Sequence, residues 1–264
     1  MISQTVQQSP LSEHPLPDKD INVANNETLD IICNDKLRLI QKKNGYRFSI
    51  DAILLANFVI LKKGERLLDI GSGCGIIPVY MARKTHINNN MTGVEIQKGL
   101  FEASRKNAIL NNCSNIEFLN GDITKMEKKL KQTPFNVVVS NPPYTRKFSG
   151  RASPQTSRFI ARYESQLNLA ALVSISSSLL FKKGRFYTIY PSKRLGELIH
   201  TAKLHKLEPK RLRFVHPRKE KGANLFLAEF IKEGGIEVIV EKPVYIYDND
   251  HYTEELQTYY ELKG

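Results

Sequence analysis

A regular alternation of short apolar runs and helical segments constrains the fold of this 264-residue chain more than any other feature. Four apolar runs have the length and composition of buried strands, at 66–70, 91–95, 116–119 and 135–140. Segments with helical character follow the first three runs, at 76–84, 97–110 and 123–131. This alternation predicts an α/β fold in which helices cover both faces of a mostly parallel sheet.

The second half of the chain extends the pattern to seven strands. Three further strands are predicted, at 185–190, 209–215 and 224–231. Two further helices are predicted, at 164–181 and 192–205. Only the loop 217–222 separates the last two strands, and a connection this short predicts antiparallel pairing. The expected architecture is therefore a mostly parallel seven-stranded sheet whose last strand is antiparallel.

Three regions follow from composition and turn signals. Residues 1–28 are polar and contain three prolines, which predicts a flexible leader. Residues 29–64 predict a hairpin around Asn34-Asp35, followed by a helix over 50–61 that Ser49 caps. Residues 65–264 form the main domain, in one globular unit with 29–64. Its tail predicts an edge strand within 236–247 and a short helix within 252–262.

Composition excludes several classes of protein. No apolar run approaches the roughly 20 residues that span a bilayer, and the amino terminus lacks the apolar core of a signal peptide. The cysteines Cys33, Cys74 and Cys113 form no CxxC pair, so we expect reduced thiols and a cytoplasmic protein. The six histidines show no metal-binding spacing, and no metal is expected.

A glycine-rich loop follows the first strand of the main domain. The strand ends in Asp69-Ile70, and glycines follow at 71, 73 and 75, where close backbone approach to a ligand is possible. Glu95 ends the next strand and could accept both ribose hydroxyls of a nucleoside. Asp122 follows the third strand and could accept from an adenine amino group. A simple tight turn is the alternative, but three such sites at three strand ends favour a nucleoside-binding crevice.

The spacing of the glycines distinguishes two nucleoside cofactors. A dinucleotide-binding dehydrogenase uses G-x-G-x-x-G, and this loop fails that pattern at the third glycine. Asp69 also places a negative charge beside the loop, which disfavours a pyrophosphate and suits the cationic amino end of S-adenosylmethionine. We therefore predict S-adenosylmethionine as cofactor and S-adenosylhomocysteine as its product.

The turn Asn141-Pro142-Pro143-Tyr144 directly follows the strand 135–140. Two adjacent prolines cannot continue a central strand, because neither offers an N–H to the ladder. The turn therefore leaves an amide side chain, backbone carbonyls and an aromatic ring at the carboxyl end of a strand, where open α/β sheets bind ligands. A plain proline turn is the alternative.

Positive charge is concentrated in two segments of a chain whose formal net charge is +12. Residues 182–221 contain thirteen Lys and Arg against three Glu, and 145–162 contain five against no acid. Such segregation suits a phosphate backbone, although a solvated lysine surface is the alternative. The predicted RNA-binding residues are Arg146, Lys147, Arg151, Arg158, Arg162, Lys193, Arg194, Lys210, Arg211, Arg213, Arg218, Lys219 and Lys221.

Residues from about 29 to 260 resemble class I S-adenosylmethionine-dependent methyltransferases that carry an Asn-Pro-Pro-Tyr motif. The resemblance rests on the segment 48–56, the glycine loop, the turn 141–144 and the segment 161–164. More narrowly, the chain is similar to bacterial tRNA adenine-N6 methyltransferases that modify the adenine 3′ of the anticodon of valine tRNA. The resemblance implies cofactor contacts from Asp69, Gly71, Ser72, Gly73, Gly75, Glu95, Ile96, Asp122, Ile123 and Asn141.

The resemblance also implies catalytic roles for Asn141, Pro142 and Tyr144. The side-chain oxygen of Asn141 and the carbonyl of Pro142 would accept the two hydrogens of an adenine amino group, and Tyr144 would stack on the base. The motif is shared with enzymes that methylate DNA or ribosomal RNA bases or a protein glutamine, which remain alternatives. A non-catalytic RNA-binding protein with this fold is a third. Oligomeric state is not predicted.

Overall fold

A computed structural model describes residues 22–43, 47–85, 89–143 and 167–262 of the chain. The strands are β1 Glu27–Ile32, β2 Leu37–Lys42, β3 Leu67–Ile70, β4 Met91–Glu95, β5 Ile116–Asn120, β6 Phe135–Ser140, β7 Leu180–Pro191, β8 Leu207–His216, β9 Leu225–Lys232, β10 Ile239–Val240, β11 Val244–Tyr245, β12 Tyr247–Asp248 and β13 His251–Tyr252. The helices are α1 Ile50–Phe58, α2 Ile76–Thr85, α3 Lys98–Leu110, α4 Ile123–Leu130, α5 Leu169–Leu179, α6 Leu195–Leu204 and α7 Glu254–Tyr259.

One nine-stranded sheet forms the centre of the molecule. Seven long strands lie in the order β8-β9-β7-β6-β3-β4-β5, and the short strands β10 and β11 both pair with β8. Among the described strands of this sheet, β9 alone runs antiparallel to its neighbours. The predicted α/β fold, with its mostly parallel sheet and its reversed last strand, is confirmed. The tail supplies the two strands beyond the seven predicted.

Helices cover both faces of this sheet because its strands carry apolar side chains on both sides. One core joins α1, α2, α3 and α7 to the face that carries Val137 and Val139 of β6. The second core joins α4, α5 and α6 to the opposite face, which carries Val138. Burial on both faces is usual for a parallel sheet. Because β3, β4, β5 and β6 run parallel, their carboxyl ends lie at one edge of the sheet.

The hairpin β1–β2 packs beside α3. Its turn uses left-handed backbone at Cys33, Asn34 and Asp35, with φ values of 58°, 52° and 63°, and two of these are residue types that adopt this conformation readily. Buried Glu27 pairs with Lys42 at 2.9 Å and with Lys106 of α3 at 2.7 Å. The ordered hairpin therefore begins at Glu27, two residues before the boundary assigned to the leader.

Several helix and strand boundaries differ from prediction for local reasons. The helix predicted to continue to 181 ends at Leu179, and β7 starts at Leu180 instead of 185. Lys183 has a φ of 62°, and the ladder between β6 and β7 shifts register near Phe135. This irregularity accommodates polar residues that suggested a loop. The helix expected from 192 begins as a 3₁₀ turn at Ser192–Arg194, and α1 ends at Phe58 because Val59 is extended.

None of the helices in the described part of the chain is both long enough and apolar enough to span a bilayer.

Candidate active site

The strand order reverses direction at β3, which lies between β4 and β6. In open α/β sheets the crevice outside the strand ends at such a switch point is where ligands bind. The glycine loop leaves β3 at this point and the Asn141 turn leaves β6. The hydroxyl of Ser140 donates to the carbonyl of Ile70 at 2.8 Å, which ties the two strand ends together.

The glycine loop adopts a conformation that requires glycine. Gly71, Gly73 and Gly75 have φ values of 75°, 57° and 80°, in the left-handed region that side chains with a Cβ rarely occupy. The backbone N–H groups of Gly71 and Ser72 both donate to the carbonyl of Val94, at 2.9 and 3.1 Å. The loop therefore folds back over the end of β4.

Phe118 of β5 supports this loop from beneath, and sequence reasoning missed its role. A Cβ on Gly75 would lie 2.6 Å from Cζ of Phe118, and a Cβ on Gly93 of β4 would lie 2.5 Å from its Cδ1. The ring thus lies directly against both glycines. The available signal was Gly93, because a glycine inside an apolar strand often marks close approach of another group.

Glu95 joins the glycine loop to the start of α3. Its Oε2 accepts from the N–H of Gly73 at 2.9 Å, and its Oε1 accepts from the N–H of Gln97 at 2.8 Å. The residue is only 4% exposed. Burial raises the pKa of the carboxyl, and the backbone donors oppose that rise. Each oxygen retains a second lone pair that can accept a further hydrogen bond.

Asp69 is fully buried behind the loop. Burial, and to a lesser degree the charge of Glu95, raise its pKa to about 8. Within the described residues, neither Asp69 oxygen has a hydrogen-bond partner, and neither does the buried hydroxyl of Ser72. A cationic ligand would favour the ionised forms of these two buried acids, whereas a phosphate group would disfavour them.

Four of the predicted cofactor residues line one small cavity at the ends of β3, β4 and β5. These are Gly71, Ile96, Asp122 and Ile123, and the remaining lining residues are Ile70, Val94, Gly121 and Leu167. Ile96 is 38% exposed, so it presents an apolar surface toward this cavity. Asp122 caps α4, since its Oδ1 accepts from the N–H of Thr124 at 2.9 Å. That bond holds the carboxylate at the start of α4.

The proline turn begins where β6 ends. Asn141 and Pro143 are half-buried and Pro142 is buried. Tyr144, together with the predicted RNA contacts Arg146, Lys147, Arg151, Arg158 and Arg162, lies outside the described residues. The structure thus brings Asn141 to the same edge as the glycine loop.

Five of the predicted RNA-binding residues lie at the same edge of the sheet. Lys193 and Arg194 follow β7, and Arg218, Lys219 and Lys221 form part of the turn between β8 and β9. Arg194 pairs with Glu197 at 2.7 Å, and Arg218 pairs with exposed Asp250 at 3.1 Å. Lys219 and Lys221 are exposed.

Lys210, Arg211 and Arg213 lie along β8 instead, and their contacts are internal. Lys210 donates to the carbonyl of Gly235. Arg211 pairs with Glu229 at 3.1 Å and with Glu241 at 2.8 Å, and it stacks over the ring of Phe58. Arg213 pairs with Glu255 at 2.6 Å. Carboxylates thus compensate the charges of Arg211 and Arg213, whereas Lys210 contacts a backbone carbonyl in an exposed hydrogen bond. Contact of these three residues with RNA stays a prediction.

Comparison with known proteins identifies the family. A family model described as a methyltransferase domain matches residues 61–257. The chain belongs to this methyltransferase family. A predicted O-methyltransferase from Agrobacterium tumefaciens has the same fold, with a TM-score of 0.63 and 20% identity over 80% of this chain and 95% of the other. The glycine loop and the turn at Asn141 both fall inside the matched segment of the methyltransferase.

Two curated relatives carry the same name, tRNA1(Val) (adenine(37)-N6)-methyltransferase. The relative from Porphyromonas gingivalis is 32% identical over 169 residues, which is 63% of this methyltransferase and 65% of the relative. The relative from Haemophilus influenzae is 28% identical over 218 residues, covering 81% of this chain and 89% of the relative. The alignment thus spans just under two thirds of the length of the first relative.

Proposed function

We propose that this methyltransferase transfers a methyl group from S-adenosylmethionine to the exocyclic N6 of an adenine in tRNA. The finer proposal is the adenine 3′ of the anticodon in valine tRNA, after the names of the two relatives. The observation that carries the proposal is the position of Asn141 and Pro142 at the switch point beside the glycine loop. An amide oxygen and a backbone carbonyl next to a cofactor crevice suit methylation of an amino group.

The crevice has the chemistry to hold S-adenosylmethionine. Asp69 and Glu95 favour its positive charges, and the glycine backbone permits close approach of its amino acid end. The second lone pairs of Glu95 can accept the ribose hydroxyls, Ile96 and Ile123 offer apolar contact to adenine, and Asp122 can accept from the adenine amino group. When bound, the cofactor supplies an electrophilic methyl group.

Asn141 and Pro142 would activate the target nitrogen. The lone pair of an adenine amino group is delocalised into the ring, so the nitrogen is a poor nucleophile. Two acceptors, the Asn141 side-chain oxygen and the Pro142 carbonyl, can hold both N–H groups and stabilise the positive charge that develops on the nitrogen. Tyr144 would hold the base by stacking.

The cations at the same edge would hold the RNA backbone. Lys193, Arg218, Lys219 and Lys221 follow β7 or join β8 to β9, beside the edge that carries Asn141. An anticodon loop presents unpaired bases, which can leave the stack at lower cost than a paired base.

Replacing Asn141 by Ala tests the proposed chemistry. We expect methyl transfer to unmodified total tRNA to fall by about 10²–10³-fold, because one preorganised acceptor is lost. Affinity for S-adenosylhomocysteine should fall far less than the transfer rate, because the glycine loop and Glu95 remain. The control is Asn26→Ala, which changes an exposed asparagine before β1. Undiminished transfer by the Asn141 variant would contradict the mechanism.

Nucleoside mass spectrometry of the methylated tRNA tests the substrate. N6-methyladenine next to the valine anticodon is the expected product. Transfer to a glutamine in a release factor, with none to tRNA, would assign the same turn to a protein substrate, since a carboxamide nitrogen is also planar and conjugated. Failure to bind S-adenosylmethionine would favour a non-catalytic RNA-binding protein.

The salt dependence of tRNA binding tests the surface. Replacing Lys219 and Lys221 together by Gln should weaken binding and reduce the slope of log K against log salt by up to about 2. The matched control replaces Lys128 and Lys129 by Gln, the same charge change on exposed positions in the last turn of α4. Equal slopes for the two double variants would place the RNA elsewhere.

A further inference from the structure

Two asparagines one turn apart, Asn107 in α3 and Asn111 at the C-terminal cap of that helix, cover the outer edge of β2. Asn111 accepts from the N–H of Arg38 at 3.0 Å and donates to the carbonyl of Arg38 at 2.7 Å. Asn107 does the same at Ile40, accepting at 2.6 Å and donating at 3.0 Å. Each side chain thus makes the two hydrogen bonds that a neighbouring antiparallel strand would make. The hairpin is held to α3 through its backbone.

The two asparagines differ in where the second amide hydrogen goes. Asn111 donates it to the backbone carbonyl of Asn107, in the last turn of α3, at 2.7 Å. Asn107 donates it to the carbonyl of Cys74, in the glycine loop, at 2.8 Å. Asn107 is fully buried, and its contacts reach 67 and 33 residues along the chain. It alone of the pair therefore links the hairpin to the cofactor loop.

The hydrogen bond from Asn107 reaches the glycine loop at Cys74, between two of its three glycines. Cys74 lies between Gly73, whose N–H is held by Glu95, and Gly75, which has a φ of 80°. The loop is therefore fixed from the β4 side by Glu95 and from the hairpin side by Asn107. A shift of β2 would move the partner of the Cys74 carbonyl and disturb the loop.

The hairpin also positions the chain before α1. The residue after Ile40 is Gln41, whose side-chain oxygen accepts from the N–H of Phe48 at 3.0 Å. Phe48 lies two residues before the first residue of α1. Docking of β2 thus sets both the glycine loop and the entrance to α1.

We infer that Asn107 is a positioning residue that makes cofactor binding at the glycine loop and docking of the β1–β2 hairpin depend on each other. The inference rests on the proposed function in one respect, since S-adenosylmethionine is taken as the ligand of the loop. Linkage makes the effect reciprocal: if the docked hairpin favours the binding-competent loop, the bound ligand stabilises the docked hairpin by the same factor.

The test compares Asn107→Leu with Asn111→Leu, using S-adenosylhomocysteine as the probe. Both substitutions remove one asparagine that covers β2, and only the first removes the link to Cys74. We expect affinity measured by calorimetry to fall about tenfold or more for the Asn107 variant and by less than about twofold for the Asn111 variant. Equal affinities in the two variants would overturn the inference.

Amide hydrogen exchange of the unmutated protein tests the same coupling without relying on a variant that folds. Saturating S-adenosylhomocysteine should slow exchange at the Ile40 N–H by about tenfold or more. If the ligand binds and exchange throughout β2 stays unchanged, the inference is overturned and the proposed cofactor is not. Failure of the unmutated protein to bind the ligand would overturn the proposed cofactor, and the inference with it.

Discussion

Replacing Gly93 by Ala tests whether the Phe118 ring supports the glycine loop. The added methyl carbon would lie 2.5 Å from Cδ1 and 2.6 Å from Cε1 of Phe118, and 2.9 Å from the Ser72 hydroxyl oxygen. Favourable carbon–carbon contacts lie at about 3.5–4.0 Å. The ring, the loop or both must therefore move by about 1 Å.

The expected loss of stability depends on how far the Phe118 ring can move. Overpacking a well-packed core costs about 1–3 kcal/mol. Phe118 is 8% exposed, and it lines a cleft of about 760 Å³ between α3 and β5, so the ring has space on one side. We expect a loss of about 1.5 kcal/mol in the free energy of unfolding, or about 3–6 °C in Tm.

A double-mutant cycle in thermal unfolding checks the cause. Phe118→Val removes the ring and keeps a β-branched residue suited to a strand, so Gly93→Ala should cost at least about 1 kcal/mol less in that background. The same loss in both backgrounds would refute the role of the ring. Gly75→Ala provides a contrast, because its φ of 80° adds about 1–2 kcal/mol of backbone strain that Phe118→Val cannot relieve.

Three further substitutions have distinct expected outcomes. Burial would raise the pKa of Glu27, but hydrogen bonds from two lysines and a backbone N–H outweigh it and lower the pKa to about 2. Glu27→Gln should therefore lower the free energy of unfolding by at most about 3 kcal/mol at pH 7. Urea unfolding should show the difference between the variant and the unmutated protein disappearing as pH falls from about 4.5 to 2. The pKa of Asp69, about 8, lies above its unfolded value, so its contribution to stability is complete below about pH 4 and is lost as pH rises through 8. Unfolding of Asp69→Asn should lack that decline, and parallel pH profiles for the two proteins would contradict the assignment. Arg211→Met leaves Glu229 buried without its cation and should cost about 3–5 kcal/mol in urea unfolding without changing the salt slope of tRNA binding. A reduced salt slope of tRNA binding would indicate that Arg211 contacts the RNA.

The sequence predicts best the elements whose ends carry local signals. The bounds of β4 and β6 agree with prediction to the residue, because each is an apolar run with polar residues or proline at its ends. The start of β7 was missed because Lys182 and Lys183 suggest a loop, whereas β7 already pairs with β6 at Leu180 and contains both lysines in the irregular stretch before pairing resumes at Arg185. Tertiary pairing thus overrides local polarity there.

In the candidate site, too, features with local sequence signals are predicted and features set by tertiary contacts are not. Parallel strands share one carboxyl edge, so the sequence alone predicts that the glycine loop, Glu95 and Asn141 meet there. Composition cannot separate a cation that contacts RNA from one paired inside the fold. Arg211 is an example, since its partner Glu241 is 30 residues away along the chain. The link made by Asn107 has no local signal either, because both of its partners are backbone carbonyls or amides of distant segments.

Because β9 is antiparallel to β8, a short turn joins the two strands. The ladder between β8 and β9 extends from Leu207 opposite Lys232 to Val215 opposite Leu225, and the turn that joins them contacts the tail, where Arg218 pairs with Asp250. Doubling the length of such a turn costs only about 0.6 kcal/mol in closure entropy. Residues inserted in this turn should therefore be tolerated by the fold, and under the proposed function such insertions would alter RNA binding without altering the methyl-transfer chemistry.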